Sequence, residues 1–369
     1  MKSLYIGLMS GTSMDGIDAV LVEFGNRRCQ IIAALSQEYP DELHTALIAA
    51  TREPEQCTID TFGRLDNWVG ESFRDAALKL ISESKTDVEH IVAIGSHGQT
   101  LRHQPRVERP FTLQIGDPNI IAAGTGITTV ADFRRRDVAL GGEGAPLLPP
   151  FHHWLFSDKK INRVVLNIGG IANVTILPAG SDKVTGFDTG PGNILLDAWI
   201  QVSKGEKFDE DGNWARSGKI SPQLLALLLR DPYFAEPPPK STGFEYFNLM
   251  WLRQALSETG DADEANIQAS LCALTARSIA DAIGTYAPDT TELLICGGGI
   301  DNAELLRWIA SALPEVEAHS TAIFGLEPDW VEAAAFAWLA RRCLDRKTGN
   351  LPGVTGADHA DILGGIYPA

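Results

Sequence analysis

The chain opens with an apolar run, a small polar turn and a second apolar run, "YIGLMSGTSMDGIDAVLVEF" from Tyr5 to Phe24. This pattern predicts two paired strands joined by a glycine-containing hairpin turn. It returns between Arg163 and Pro178 in "RVVLNIGGIANVTILP", again with no helix between its arms. After the first hairpin the sequence predicts a polar helical region around Pro40 to Ser84 and a strand "HIVAIGSHG" from His90 to Gly98. A short "FTLQIG" from Phe111 and a strand "GITTVADF" from Gly126 follow. After the second come a helix over Ile194 to Ser203, a long helix over Asn266 to Tyr286, a strand "ELLICGGG" over Glu292 to Gly299 and an Ala-rich helix over Trp330 to Leu344. Hairpins followed by alternating helix and strand, twice over, read as a duplicated α/β unit with mixed sheets. Polar, Pro/Gly-rich segments at Leu140 to Pro150 and Arg346 to Gly356 mark the expected crossings between the halves.

Composition fits two cores: 369 residues, 44% of them hydrophobic, exceed what one average domain needs. The five cysteines, Cys29, Cys57, Cys272, Cys296 and Cys343, are scattered without C-x-x-C spacing. That argues against a disulfide framework and a structural zinc site and favours a reducing cytoplasm. The N-terminal "MKSLYIGLM" passes straight into strand-like sequence without the apolar region of a signal peptide, and no window approaches the run of about 18 apolar residues that spans a bilayer. A net charge of −17 disfavours nucleic acid and anionic lipid as partners, and requires local basic groups for any anionic substrate.

Candidate chemistry narrows by elimination. A P-loop needs G-x-x-x-x-G-K-[ST]; the nearest stretch, Gly212 to Ile220, has one residue too many and no Ser/Thr after Lys219. "GTSMDG" from Gly11 places its second glycine one position late for a nucleophile elbow, and a strand follows it. What remains is a turn whose Gly7, Gly11 and Gly16 can adopt φ > 0 and aim backbone N–H groups at a phosphate, with Ser10, Thr12 and Ser13 adding hydroxyls; an ordinary hairpin loop uses the same residues. "GFDTGPGN" carries one D-T-G, whereas an aspartic protease needs two. Asp188 there suits a general base at a strand end, or a cap of the following helix, although Asn193 sits closer to that helix. "ICGGGIDN" puts three glycines at the end of a strand, where a planar ring can approach the backbone or a tight turn can form. The histidines His97, His103, His152 and His153 lack metal-ligand spacing with a third partner.

Together "GLMSGTSMDGIDA", "SHGQT", "ADFRRRD", "GGEGAPL", "NIGGIANVT", "GFDTGPGN", "CGGG" and "NLPGVTGA" resemble the anhydro-N-acetylmuramic acid kinases, from near Tyr5 to the last residues. The resemblance implies the sugar kinase, actin and Hsp70 superfamily: duplicated ribonuclease H-like (actin-like ATPase) domains with mixed sheets and an interdomain cleft. The lobes are expected at residues 1–142 plus 350–369 and at 143–349. It implies that ATP is bound by Gly11, Thr12, Ser13, Met14, Asp15, Gly16, Ile17 and Asp18 in the first turn and by Asn167, Gly169, Gly170 and Asn173 in the second. Gly190, Gly192 and Asn193, with Gly297, Gly298 and Gly299 on the adenosine side, complete that set. Mg²⁺ is expected to be carried by ATP, with Asp15 as a possible ligand.

The implied reaction opens a 1,6-anhydro sugar from cell-wall recycling with water while O6 takes the γ-phosphoryl group. Asp188 matches the family's catalytic base and Glu332 a second acid that helps hold water and sugar; an acid in the first turn of a helix is also favoured by the helix dipole alone. Gln99, Thr100, Pro105 and Thr189 match sugar contacts. In "DFRRRD" one of Arg134 to Arg136 binds the sugar's lactyl carboxylate; Arg134 and Arg136 share a side if the strand continues, and the remainder pair with Asp132 and Asp137. A homodimer is a further family expectation. A kinase acting on an ordinary hydroxyl and a noncatalytic nucleotide-gated binding protein are the alternatives the fold admits.

Overall fold

The computed structural model describes residues 3–11, 14–260 and 263–369. The chain divides into two compact units, Met1–Leu155 with Trp330–Ala369, and Phe156–Asp329. In the first unit β1 (Leu4–Met9), β2 (Gly16–Gly25) and β3 (Arg28–Glu38) form an antiparallel meander. β4 (Ile91–Ser96) pairs parallel to β1. The hairpin β5 (Gln99–Gln104) and β6 (Phe111–Ile115) stands apart, and β7 (Thr129–Ala131) pairs parallel to β4. The C-terminal strand Gly365–Tyr367 closes the edge against β7, so the order is C-terminal strand, β7, β4, β1, β2, β3.

The second unit repeats the plan. β8 (Arg163–Ile168) and β9 (Ile171–Leu177) form the hairpin read from the sequence, β10 (Thr185–Pro191) extends it, and β11 (Glu292–Cys296) and β12 (Glu317–Ser320) lie parallel on the other side of β8. The order β10, β9, β8, β11, β12 matches β3, β2, β1, β4, β7 strand for strand. This is the duplicated ribonuclease H-like arrangement with mixed sheets. A parallel neighbour demands a helical crossover, which is why long helices, Ile59–Ser84 and Glu264–Tyr286, stand before β4 and β11.

Alternation sorts the faces. In the first hairpin Leu4, Ile6, Leu8, Ile17, Ala19 and Leu21 face a core completed by Leu65, Val69 and Phe73 of the helix Ile59–Ser84. Each fully buried Leu, Ile, Val or Phe among them contributes about 1.5–3 kcal/mol. The opposite face meets the helix Val331–Leu344, which packs on β1 and β4. Two glycines in register, Gly7 on β1 and Gly95 on β4, make room for it. A Cβ on Gly7 would lie 1.8 Å from the Ala333 carbonyl oxygen, and one on Gly95 would lie 2.1 Å from that of Phe336.

Two expectations change here. The Ala-rich helix, assigned from sequence to the second lobe, belongs to the first unit, and the divisions fall after Leu155 and Asp329 instead of near residues 142 and 349. The reason is packing: Phe151 and Trp154 of the helix Pro149–Phe156 meet Trp338 at 5.9 Å each, and Trp154 meets Phe24 at 5.8 Å, all within the first unit. The strand expected through "ADFRRRD" also stops early. Asp132 takes a left-handed φ of 63°, and Phe133–Ala139 is a helix, so the strand alternation of Arg134 and Arg136 does not apply. No helix among the described residues is long and apolar enough to cross a membrane.

Candidate functional site

In the first unit the turn after β1 is held from inside. Ser10 is buried, and its hydroxyl lies 2.6 Å from the Gly16 carbonyl and 2.7 Å from Gln99 Oε1; Gln99 Nε2 donates to the Gly11 carbonyl at 3.0 Å. Gln99, expected at the sugar, is therefore fully buried and spends its amide on the turn. Met14 donates its N–H to Gly11 O at 3.3 Å with φ 58°, buries its side chain, and receives the Thr51 hydroxyl on its sulfur at 3.7 Å. Asp15 is exposed, Asp18 half-buried and Ile17 in the core; Thr12 and Ser13 lie outside the described residues. The expectation of φ > 0 glycines is corrected at Gly7 and Gly16. Gly7 lies mid-strand beneath a helix, and Gly16 opens the strand β2. Gly16 is required instead because a Cβ would lie 2.6 Å from Gln37 O.

His97 follows β4 and donates its backbone N–H to Leu8 O at 3.0 Å. Its ring Nδ1 meets Gly98 O at 2.8 Å and its Nε2 accepts from Arg134 Nε at 3.0 Å. Arg134 Nη1 donates to Gly144 O at 2.8 Å. Arg135 faces Asp132 at 3.3 Å and Arg136 faces Asp361 at 3.8 Å, so these two already have carboxylates beside them. Asp137, expected to pair with an arginine, is instead fully buried: it accepts from Gly144 N, Asn350 Nδ2 and Thr355 Oγ1 at 2.7–2.8 Å, tying the "GGEGAP" loop to the C-terminal "NLPGVTG". Thr100 accepts from Gln114 Nε2 at 3.2 Å on the β5–β6 hairpin, and Pro105 lies half-buried in the turn that follows β5. Glu332 sits half-buried in the first turn of Val331–Leu344, next to the residue that covers Gly7.

Burial lowers the pKa of three histidines of this unit, His97 well below 6.5, His103 to about 4 and His152 to about 3, with Arg134 reinforcing the first two. Unfolding restores a value near 6.5, so below it the unfolded chain binds the extra protons and folding loses stability as pH falls toward each depressed value. Each group costs about 1.4 kcal/mol per pH unit inside its window. The melting midpoint is expected to hold above about pH 7 and to fall steeply from pH 6.5 toward 4. A midpoint that stays level across that interval contradicts the assignment of neutral buried rings.

In the second unit the turn between β8 and β9 is capped by the start of the helix Ile194–Lys204. Gly192 N donates to Gly170 O at 2.8 Å and Asn193 N to Gly169 O at 2.9 Å. Gly192 and Asn193, expected among the ATP-binding residues, thus spend these N–H groups within the protein. A Cβ on Gly192 would lie 2.3 Å from Gly169 O, so the contact requires glycine. Asn167 and Asn173 oppose each other in register across the hairpin. Gly297 has φ 78°, and a side chain on it would strike Asn167 Oδ1 at 2.3 Å; one on Gly299 would strike Ile168, while Gly298 opens onto free space. Thr189, expected at the sugar, is buried and donates to Ala172 O at 3.2 Å.

Asp188 lies on β10 at a bulge that runs to Gly190, whose φ is 150°. Bulges re-aim side chains and gather at active sites. The Asp188 N–H donates to Lys240 O at 3.1 Å, its carbonyl accepts from Tyr233 Oη at 2.7 Å, and its Oδ2 accepts from Thr242 N at 2.9 Å. Lys240 is buried, with Nζ donating to Tyr233 O at 2.9 Å and lying 4.5 Å from that ring's centre. Burial lowers its pKa, against the raising charges of Glu236 and Asp188. Sequence reasoning missed this Tyr233–Thr242 support; the available signal was one lysine between three prolines and "STG". It also missed Asp197, whose carboxyl is pushed up to about 7 by burial and by Asp209. Among the described residues no group of three or more His, Cys, Asp or Glu is arranged to hold a metal ion.

Within each unit the predicted residues come together: the Gly11 turn with Gln99 and, through His97, Arg134; Gly169 and Gly170 with Gly192 and Asn193; Asn167 with Gly297. The family model for anhydro-N-acetylmuramic acid kinase matches residues 3–369. The anhydro-N-acetylmuramic acid kinase of Xanthomonas campestris pv. campestris strain 8004 is 52% identical over 369 residues, covering 99% of this chain and 97% of that protein. The one of Shewanella amazonensis is 51% identical over 368 residues, covering 100% and 99%. Among solved structures, a ROK family glucokinase from Streptomyces griseus aligns over 92% of this chain and 100% of that chain at 13% identity and a TM-score of 0.42, too distant to assign any residue a role. The chain belongs to the anhydro-N-acetylmuramic acid kinase family, and is an ATP-using kinase of amino sugar metabolism that serves cell-wall recycling.

Proposed function

We propose that this kinase hydrolyses the 1,6-anhydro ring of anhydro-N-acetylmuramic acid and phosphorylates O6 in the same reaction. O6 of the bridged sugar carries no hydrogen, so it becomes a nucleophile only as its bond to C1 breaks. Water adds to C1 on the face opposite O6, Asp188 takes the proton of that water, and O6 receives the γ-phosphoryl group of ATP, leaving N-acetylmuramic acid 6-phosphate and ADP. The observation that carries this reading is Asp188 itself. A bulge aims it out of the strand regularity, one backbone N–H steadies its Oδ2, and its own backbone is pinned by Lys240 and Tyr233.

Glu332 assists in holding water and sugar. One of Arg134 to Arg136 is assigned to the lactyl carboxylate on the family resemblance; Arg135 faces Asp132, Arg136 faces Asp361, and Arg134 is held by His97 and Gly144 O. The residues present suit ATP: Gly298 leaves open space beside the backbone for a planar ring, and the turn at Gly169–Gly170 is rigid where the phosphates are assigned. Mg²⁺ neutralises charge on the phosphates when bound, and Asp15 and Asp18 are the carboxylates the first turn offers it. We place the enzyme in the cytoplasm as a homodimer on the family resemblance.

ADP release is the direct test. Release that depends on anhydro-N-acetylmuramic acid and is absent with N-acetylglucosamine is expected; equal release with both overturns the ring-opening reading.

A further inference from the structure

We propose that Asp197 reads the ribose of the nucleotide: its carboxylate, one helical turn beyond the second glycine turn, accepts hydrogen bonds from the cis hydroxyls at C2′ and C3′ of ATP. The inference rests on the assignment made above of ATP to the turn at Gly169–Gly170 and to the open space at Gly298, and adds to it the residue that selects a ribonucleotide.

Asp197 is half-buried in the first turn of the helix Ile194–Lys204, and its N–H donates to Asn193 O at 2.8 Å. Its electrostatic neighbour is Asp209, and among the described residues no donor or cation reaches its carboxylate. Burial and that neighbour push its carboxyl up to about 7. Asp209 itself is well supplied: Trp214 N and Ala215 N donate to its two oxygens at 2.8 and 2.9 Å, and Gln268 Nε2 donates at 3.3 Å. A carboxylate only accepts, so this contact fixes the amide with its nitrogen toward Asp209 and leaves Gln268 Oε1 as the other end. Gln268 is fully buried, and that oxygen has no partner among the described residues. Buried acceptors without donors are rare and cost about 1–3 kcal/mol each. Two acceptors short of hydrogens, Asp197 and Gln268 Oε1, thus flank one satisfied carboxylate.

Their place in the unit suits ribose, which in ATP joins the triphosphate to the base. On one side Asn193, whose N–H donates to Gly169 O at 2.9 Å, stands one turn, about 6 Å along the helix axis, before Asp197. On the other side Asp209 O accepts from Gly212 N at 3.0 Å, and Gly212 lies so close to Asn302 that a Cβ would stand 2.2 Å from its Oδ1. Asn302 N in turn donates to Gly299 O at 3.2 Å, in the glycine run assigned to adenosine. The acid pair therefore lies between the residues assigned to phosphate and those assigned to base. Its chemistry favours a neutral donor: two carboxylates repel phosphate, whereas a carboxylate accepts well from hydroxyls, as acidic residues do from ribose in dinucleotide-binding folds. A metal ion is the competing occupant of an acidic pair, but among the described residues no group of three or more His, Cys, Asp or Glu is arranged to hold one.

The test compares ATP with 2′-deoxy-ATP and 3′-deoxy-ATP, at saturating 1,6-anhydro-N-acetylmuramic acid, as ratios of kcat/KM in the full-length enzyme. The wild type is expected to prefer ATP roughly ten- to hundredfold, the value of a hydrogen bond to a charged group. Asp197→Ala is expected to bring both ratios close to one, mostly through KM for ATP, and Asp197→Asn, which keeps one accepting oxygen, to hold an intermediate preference. Three results overturn the inference: wild-type ratios near one; ratios unchanged in Asp197→Ala while all three nucleotides lose alike, the mark of a structural role; or turnover that responds to K⁺ or Na⁺ in the wild type and not in Asp197→Ala with the ratios unmoved, the mark of a cation site. Gly298→Val separates the levels, because it fills the open space assigned to the base and is expected to raise KM for all three nucleotides alike. An unchanged KM there removes the nucleotide assignment, and with it this one; a raised KM there with the preference kept in Asp197→Ala removes only the role of Asp197. Should Asp197→Ala fail to fold, the isosteric Asp197→Asn carries the comparison, and ratios equal to those of the wild type contradict the proposal.

Discussion

Asp188→Asn is expected to lower kcat about a thousandfold while leaving folding and nucleotide binding nearly intact, since a positioned general base contributes about 10²–10⁴ in rate. The substitution removes charge and basicity and little else. Contacts that seat the residue include, in order, its N–H to Lys240 O, its carbonyl from Tyr233 Oη and its Oδ2 from Thr242 N. The first two belong to the backbone, and the third is available to an Asn oxygen. The strand register on either side of the bulge is set by β9 and is independent of the side chain. Steady-state turnover, a thermal melt and nucleotide titration check the three parts separately. Turnover within tenfold of the wild type would remove Asp188 from the chemistry, and a collapsed melt would make it a structural residue.

Gly7→Ala has the largest expected effect on stability. The new methyl would stand 1.8 Å from Ala333 O and 2.7 Å from its carbonyl carbon, both backbone atoms of a helix. A flexible side chain could turn aside; a helix cannot move without giving up its packing on β1 and β4. Overpacking of this kind costs about 1–3 kcal/mol and more where backbone must shift. A loss of about 3 kcal/mol, roughly a 6–12 °C drop in melting temperature for a unit of this size, is expected. Activity is expected to fall with it, because the displaced helix carries Glu332 in its first turn. A melting temperature within about a degree of the wild type would show that the helix does not sit on the glycine pair.

What could be read from the sequence follows the range of the interaction that decides it. Both hairpins are local: apolar arms and a Gly-rich turn suffice, and β1–β2 and β8–β9 form where the pattern put them. The long helix before β11 was equally plain because its apolar positions repeat over many turns. The division into units was not, since the helix Val331–Leu344 is placed by β1 and β4, whose Gly7 and Gly95 lie far upstream. Glycine itself is ambiguous in sequence. In the first turn it suggested φ > 0, yet Gly7 and Gly16 are required by close backbone approach, and the left-handed residue among those described is Met14.

Site residues show the same split. Asp188 and Arg134 stand out by type and context. Gln99 and Thr189 look the same as ligand contacts would, and only their burial reveals that they brace Gly11 and Ala172. Lys240 and Thr242 gain meaning only when the loop returns to β10, which no local pattern announces.

The central step of the proposed reaction is the entry of water at C1 from the side opposite O6, with Asp188 as its base. In a 1,6-anhydro sugar the bridge occupies the β face of C1, so this attack inverts the centre. Proton NMR during the first turnovers, before mutarotation, therefore tests it most directly. The α-anomer of the 6-phosphate is predicted to appear first. First appearance of the β-anomer, as a covalent intermediate or same-face attack would give, contradicts it.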